Sequence, residues 1–249
     1  MKKLLFVLFL TSFTYLPAKK CLISIGPQGA YTRVKESNFN AGPEEKLTGG
    51  MGGIRALFEY KKFRALYTAI YSSWLYGKPN NSSLSRRINT VDGEGRFGYN
   101  FQAIQSRSLV VTPYLGFGMY YSSERRNPGF ALQNTTAQSY YYYTYYIPVG
   151  LILDMNVREW FHWLFHFQWR PDIDPTVKTK TIAGVRYVDG KKENQFFIEM
   201  PFSFRLGCKR RWDISLTPFW KLTKHGSSLI SPSIRYIFWG GSLDIGYHF

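Results

Sequence analysis

The chain has 249 residues, a formal net charge of +16 at neutral pH and an aromatic content of 18%. This length suits a single domain. After residue 18 no apolar stretch approaches the ~20 residues that a membrane-spanning helix needs, which argues against a helical membrane protein.

The N-terminus has the pattern of a secretory signal peptide. Lys2 and Lys3 precede an apolar run from Leu4 to Leu10, and Ala18 offers a small residue for cleavage. We therefore expect a signal peptide over residues 1–18 and one mature domain over residues 19–249. Cys21 follows Lys20 where a lipoprotein would have a small residue, so lipid attachment is not favoured.

The mature chain contains ten segments in which apolar and polar residues alternate, which is the side-chain period of a β-strand. The alternation is clearest between Phe161 and Trp169, where every second residue is aromatic. The ten segments are Cys21–Arg33, Gly49–Tyr60, Phe63–Tyr76, Ile88–Gln102, Ser108–Tyr121, Tyr140–Leu153, Val157–Trp169, Gln195–Leu206, Trp212–Thr223 and Tyr236–Phe249.

The connections between these segments are alternately short and long. The long ones are 34–48, 77–87, 122–139, 170–194 and 224–235, and they are rich in turn-forming residues. A transmembrane β-barrel has short periplasmic turns, long external loops and an even number of strands. The pattern predicts an all-β, up-and-down antiparallel barrel of ten strands with both termini in the periplasm. Eight or twelve strands also fit.

The end of the chain alternates without a break, with apolar residues at Leu243, Ile245, Tyr247 and Phe249. This ending resembles the C-terminal assembly signal of Gram-negative outer-membrane β-barrels. The stretches 112–121, 146–151 and 215–222 resemble strands of the small barrel proteins of that membrane. The resemblance implies an integral outer-membrane location, a lipid and lipopolysaccharide environment, and assembly by the barrel assembly machinery. It also implies that Gly116, Gly118 and Gly150 face inward and leave room for bulky neighbours.

If the apolar face contacts lipid, near-equal numbers of basic and acidic side chains point into the lumen. Charges in a confined interior are tolerated when they are paired, so we expect an ion-pair network there. A soluble barrel with an apolar interior would show the same alternation and is the alternative. The predicted network comprises Arg55, Glu59, Arg64, Asp92, Glu94, Arg96, Arg158, Arg170, Glu199, Arg205, Asp213, Lys221 and Asp244.

Ten strands leave a narrow lumen, whereas a water-filled porin needs about 16. Inward aromatic residues are expected at Tyr114, Tyr120, Trp160, Phe197 and Phe219, which would fill much of the remaining space. A general diffusion porin is therefore not favoured. A narrow channel for ions or small solutes remains an alternative function.

Much of the excess positive charge falls on the predicted rims, where it suits anionic neighbours. The interpretation that we favour is a monomeric, non-enzymatic barrel that serves surface binding, adhesion or envelope integrity. Its expected partners are lipopolysaccharide and acidic surface glycans, with nucleic acid disfavoured because a secreted barrel meets little of it. The expected loop basic patch is Arg86, Arg87, Arg125, Arg126, Lys178, Lys180, Lys191 and Lys192.

Catalytic and metal-binding signals are sparse: HExxH, GxSxG and P-loop motifs are missing, and no cofactor is expected. His225-Gly226-Ser227 resembles the His-x-Ser element of outer-membrane lipid A deacylases, although Ser228 stands where an Asn would be. A protease resembling the omptins, using Asp172 or Asp174 with a loop His, is a further alternative.

Two other residue pairs remain to be placed. His162 and His166 are about 13 Å apart along a strand, too far for one metal ion, so they are expected to be inward polar residues. Cys21 and Cys208 both map to the periplasmic rim, where they form a disulfide or remain free thiols. About two strand spacings separate them, which exceeds the ~7 Å limit between Cα atoms unless the N-terminal tail bends.

Overall fold

The computed structural model describes residues 21–37, 45–62, 65–80, 85–104, 109–126, 139–181, 184–207, 210–225 and 233–249. The predicted signal peptide lies outside these ranges. Among the described residues, no helix is long and apolar enough to cross a membrane.

Fifteen β-strands make up the described structure. They are β1 (Cys21–Ser37), β2 (Glu45–Lys61), β3 (Leu66–Gly77), β4 (Arg86–Tyr99), β5 (Phe101–Ile104), β6 (Leu109–Arg126), β7 (Ser139–Tyr146), β8 (Val149–Arg158), β9 (Phe161–Pro171), β10 (Thr176–Thr181), β11 (Gly184–Asp189), β12 (Asn194–Glu199), β13 (Phe202–Leu206), β14 (Trp212–His225) and β15 (Ser233–His248).

The strands form one closed antiparallel barrel of ten strands, as the sequence predicted. Four of the ten barrel strands are interrupted and consist of consecutive pieces: β4 with β5, β7 with β8, β9 with β10, and β11 with β12 and β13. Pairing of β1 with β15 closes the barrel, for example at Ile25 opposite Ile245. Closure pairs the strands all the way around the middle of the barrel, which is what a sheet needs in order to span hydrocarbon. At the loop end, β11 pairs only with β10 among the described residues.

The predicted loop 170–194 is wrong for most of its length. The structure places β10 and β11 there, as a hairpin that continues the barrel wall through pairing of β10 with β7. Val177 is buried against Tyr120, Tyr142 and Tyr146. The hairpin escaped prediction because its strands carry basic and small residues instead of a continuous apolar face.

The two faces of the barrel have opposite chemistry. On the last strand, Leu243 and Ile245 are exposed on the outside by 52% and 55%, whereas Ser242 and Asp244 are buried inside. Exposed aromatic and aliphatic side chains continue around the exterior, and most buried charges lie in the interior. An apolar exterior around an ion-paired interior is the arrangement of a transmembrane barrel, and it excludes the soluble alternative.

Candidate functional site: the lumen and the outer wall

The two ends of the barrel differ. The turn end holds Cys21 and Phe249, where the Phe249 amide donates a hydrogen bond to the Cys21 carbonyl. The loop end is the opposite one, where β1, β4, β6 and β10 meet the long connections or the hairpin.

A dense ion-pair network fills the middle of the lumen around Asp92. One carboxylate oxygen of Asp92 accepts hydrogen bonds from Arg170 Nη1 at 2.6 Å and Lys221 Nζ at 2.7 Å. Arg170 also pairs with Glu94, 3.2 Å away, and its guanidinium lies over the Tyr146 ring. Because each charge has an opposite partner, the network tolerates burial.

Most of the predicted lumen charges do point inward. Arg55 contacts Glu199 at 2.9 Å and Asp244 at 3.3 Å, while Arg205 lies 3.9 Å from Asp213. Nine of the predicted residues are buried besides Arg170: Arg55, Glu59, Asp92, Glu94, Arg96, Glu199, Asp213, Lys221 and Asp244.

Two residues of the predicted lumen network are not among the buried charges that the structure describes. Arg158 is exposed at the end of β8, because a register shift between Asn156 and Arg158 turns the last residue of the strand out of the lumen. Arg64 lies outside the described residues. Trp160, also expected inside, is 49% exposed in the turn that precedes β9.

The prediction of Arg86 as a loop residue is wrong. Arg86 is fully buried between Glu36 and Glu124, and the second oxygen of Glu124 accepts a hydrogen bond from Tyr236. The predicted fourth segment begins at Ile88, whereas β4 begins two residues earlier, at Arg86. Extending its alternation backwards from Asp92 would have placed Arg86 on the inward face.

The turn-end half of the lumen holds a cavity of about 150 Å³, enough for several water molecules. Its lining includes Arg55, Asp154, His162, His166 and Glu199. His162 pairs with Asp154, and His166 Nδ1 contacts Glu199 at 2.8 Å. The two histidines are thus inward polar residues with separate partners. Within the described ranges, no group of three His, Cys, Asp or Glu side chains could hold a metal ion.

The loop-end half of the lumen is filled. A buried apolar cluster occupies it, comprising Ala30, Val34, Leu47, Met51, Leu75, Ile88, Ile234, Tyr236 and Phe238. Beside it, the His225 ring stacks on Tyr142 with 3.6 Å between centroids. The described side chains therefore close the lumen at this end.

Two of the candidate catalytic residues, His225 and Asp172, lie within this filled region. His225 is buried and neither of its ring nitrogens has a hydrogen-bond partner among the described residues. Asp172 is buried and accepts hydrogen bonds from Tyr142 and Gln195, both at 2.9 Å, whereas Asp174 is exposed. Ser227 lies outside the described residues. A serine nucleophile would need its base within ~3 Å.

Two of the three inward glycines make room for tyrosines on the neighbouring strand. A Cβ at Gly118 would overlap the Tyr146 ring, and one at Gly150 would overlap the Tyr114 ring. Each pair is directly opposite in the ladder between barrel strands. Gly116 instead abuts the backbone of Gly95 and the ring of Pro148. The tyrosines fill the lumen by lying over the glycines.

On the exterior at the loop end, basic and aromatic residues form aligned rows. We define the outer wall as the exterior face of β4, β6, β7, β10 and β11. One register row contains Arg87, Arg125, Ser139, Lys180 and Val185. Arg87, Arg125 and Lys180 are exposed. The row thus presents three cations to the surroundings.

The next row of the outer wall places Lys178 between two tyrosines. Its Nζ lies 5.7 Å from the ring centroid of Tyr141 and 5.2 Å from that of Tyr187. A hydrogen bond with the Tyr187 hydroxyl raises the pKa of Lys178, so this lysine stays charged at neutral pH. Below this row, Tyr121 and Tyr143 pack together with 4.9 Å between centroids.

The other predicted patch and cysteine residues are scattered. Lys191 and Lys192 are exposed beyond β11. Arg126 ends β6, opposite Arg86 in the ladder. Cys21 is buried at the start of β1, and Cys208 lies outside the described residues, so a disulfide and two free thiols stay alternatives.

The chain has the fold of Gram-negative outer-membrane β-barrels. It is similar to the outer-membrane protease OmpT of Escherichia coli, with a TM-score of 0.59, 10% identity, and coverage of 93% of this chain and 97% of that one. It is also similar to the translocator domain of the autotransporter NalP of Neisseria meningitidis, with a TM-score of 0.50, 13% identity, and coverage of 97% and 93%. No protein-family model and no curated protein sequence matches the chain.

Proposed function

We propose that this outer-membrane barrel is a non-enzymatic surface protein whose outer wall binds acidic glycans, with the loop end facing the outside of the cell. The observation that carries the proposal is the register row of Arg87, Arg125 and Lys180, exposed on the exterior of three strands. Adjacent strands are ~4.8 Å apart, so the row extends over about 14 Å and meets several anionic groups of one chain.

The ion-paired and filled lumen favours ligand binding on the barrel exterior over conduction of ions through the lumen. The interior cations Arg55, Arg170 and Lys221 have carboxylate partners within 3.3 Å, so they do not attract a soluble anion. The apolar cluster around Leu47 and Phe238 closes the loop end to water. The outer wall, by contrast, presents Arg87, Arg125 and Lys180 where a ligand can reach them.

The side chains at the loop end also support a binding role over catalysis. His225 and Asp172, two of the candidate catalytic residues, are each at most 6% exposed. A polymeric substrate cannot reach groups at that depth without moving the stacked tyrosines. The remaining test of a deacylase is the mass of lipid A from cells that express the protein or Ser227→Ala. A mass change that depends on Ser227 would overturn the non-enzymatic proposal.

The binding proposal is tested by titrating the refolded protein in detergent micelles with a heparin fragment, using calorimetry at low and physiological salt. We expect Arg125→Gln/Lys180→Gln to bind about two- to thirtyfold more weakly, since each exposed ionic contact contributes ~0.2–1 kcal/mol. Binding should also weaken as salt rises to 0.15 M, where the screening length is ~8 Å.

The matched control is Arg210→Gln/Arg211→Gln, which removes the same charge at the turn end. Both residues are exposed there, and Arg210 contacts Glu159. We expect this variant to bind the heparin fragment as the parent does. Equal weakening in both variants would show that only net charge matters and would contradict a site on the outer wall.

A further inference from the structure

The cavity in the turn-end half of the lumen is open at its rim and closed at depth. At the rim, the side chains of Lys61, Arg205 and His248 are 25%, 32% and 27% exposed. Deeper in the lumen, those of Arg55 and Glu199 are only 5% and 7% exposed. The apolar cluster at the loop end closes the lumen beyond them. The cavity is therefore a blind pocket that a small solute enters from the turn end.

The lining of this cavity carries more negative than positive charge. Arg96, which is part of the lining, donates a hydrogen bond to Glu94, which is not. When the lining histidines are neutral, five carboxylates therefore face three remaining cations. The whole chain has a net charge of +16, so an attraction for cations is a local property of the cavity. The carboxylates are Glu59, Asp154, Glu199, Asp213 and Asp244, and the remaining cations are Arg55, Lys61 and Arg205.

The shortage of positive charge shows in how the cations are shared. Lys61 Nζ lies 3.1 Å from a carboxylate oxygen of Glu59 and 3.1 Å from one of Asp154. Arg55 contacts Glu199 at 2.9 Å and Asp244 at 3.3 Å. Each of these two cations thus serves two carboxylates. Because a buried charge without a full partner is costly, a cationic ligand would be stabilised here.

Two buried carboxylates of the lining have an acceptor oxygen to spare. Asp213 and Asp244 are 4% and 3% exposed, and Oδ1 of each accepts no hydrogen bond from a described residue. Arg205 Nε lies 3.9 Å from the first oxygen and Arg55 Nε 3.3 Å from the second, without the geometry of a hydrogen bond. In the ladder between β14 and β15 the two aspartates are diagonal neighbours, ~7–8 Å apart. An ammonium group has three N–H donors and suits such a pair of acceptors.

The size and the apolar part of the lining favour an organic cation over a metal ion. The volume of about 150 Å³ is that of a cavity able to hold benzene. Within the described ranges, no group of three His, Cys, Asp or Glu side chains could hold a metal ion. Apolar side chains complete the lining and can contact methylene groups: Leu22, Leu57, Ile152, Leu164 and Pro201.

We propose that the turn-end cavity is a binding site for a short aliphatic diamine, a dication of about the size of 1,4-diaminobutane. Asp213 and Asp244 accept hydrogen bonds from one ammonium group. The other ammonium group meets the remaining carboxylates of the lining, and the methylene chain lies against the leucines. The cavity is inside the barrel, at the opposite end from the outer wall, so its test is independent of glycan binding.

The experiment titrates the refolded protein in uncharged detergent micelles with 1,4-diaminobutane, using calorimetry at pH 8 and low salt. Asp213→Asn/Asp244→Asn should bind at least about tenfold more weakly, since one hydrogen bond to a charged group is worth about that factor or more. The matched control is Asp174→Asn/Asp189→Asn, which removes the same charge from exposed positions at the loop end. This control should bind the diamine as the parent does. Heat-modifiable electrophoresis checks that all proteins are folded.

A second variant and three further probes test the shape and the chemistry of the site. Ser203→Leu keeps every charge and fills part of the cavity, so it should also weaken binding about tenfold. Butylamine, with one charge, should bind the parent more weakly than the diamine, 1,4-butanediol should not bind, and magnesium ions should not displace the diamine. The absence of diamine binding to the parent, equal affinity in the two double variants, or full displacement by magnesium would overturn the proposal.

Discussion

Replacing Asp92 with asparagine tests the energetic role of the lumen network. Asp92 is 4% exposed, and one of its oxygens holds both Arg170 and Lys221. After the change Arg170 keeps Glu94 at 3.2 Å, whereas Lys221 loses its one carboxylate partner among the described residues. Leaving a buried charge unpaired costs ~3–5 kcal/mol. We expect the free energy of unfolding of Asp92→Asn to fall by about that amount.

The assay is urea unfolding in phospholipid vesicles, followed by tryptophan fluorescence and heat-modifiable mobility. Asp189→Asn, an exposed carboxylate on the hairpin, is the matched control and should change stability by less than ~0.5 kcal/mol. Adding Lys221→Met to Asp92→Asn removes the unpaired cation and should restore part of the loss. A loss below ~1 kcal/mol for Asp92→Asn would refute the reasoning, because it would mean that the lumen charges are solvated.

Three other outcomes are expected. Gly118→Ala should destabilise the barrel by ~1–3 kcal/mol because the new methyl group overlaps the Tyr146 ring, whereas Gly50→Ala, which meets open space, should be near neutral in the same unfolding assay. In planar bilayers the protein should show no stable open-channel conductance. A stable conductance would contradict a loop end that is closed by side chains. Phe249→Ala should lower the fraction assembled in the outer membrane, measured by heat-modifiable mobility of membrane fractions. Unchanged assembly would contradict the role of the terminal aromatic.

The number of strands and the two faces of the barrel could be predicted because lipid imposes a strict period on the chain. Residues 243–249 alternate, and the structure exposes Leu243 and Ile245 while burying Asp244. Strand ends were less predictable, because outward-facing residues beyond the hydrocarbon layer need not be apolar. The alternation of apolar and polar residues therefore stops before the strand does. This is why Arg86 was assigned to a loop and why the hairpin of β10 and β11 was missed.

Local irregularities and long-range register could not be predicted from the chain. The register shift that exposes Arg158 leaves no mark in the pattern of residue types. Pairing between Lys35 and Arg235 joins residues that are far apart in sequence, and a slip of one residue would reverse every face. The sequence therefore indicated an excess of positive charge, whereas its arrangement in rows emerged only from the ladder.

The most direct test of the account is a spin-label scan over residues 243–246 in a Cys21→Ser/Cys208→Ser background, in phospholipid vesicles. Oxygen, which partitions into acyl chains, and a water-soluble nickel complex report the surroundings of each label. The account predicts high oxygen accessibility at positions 243 and 245 and low accessibility to both reagents at 244 and 246. Preferential accessibility to the nickel complex at 243 and 245 would contradict a lipid-facing exterior and, with it, the whole account.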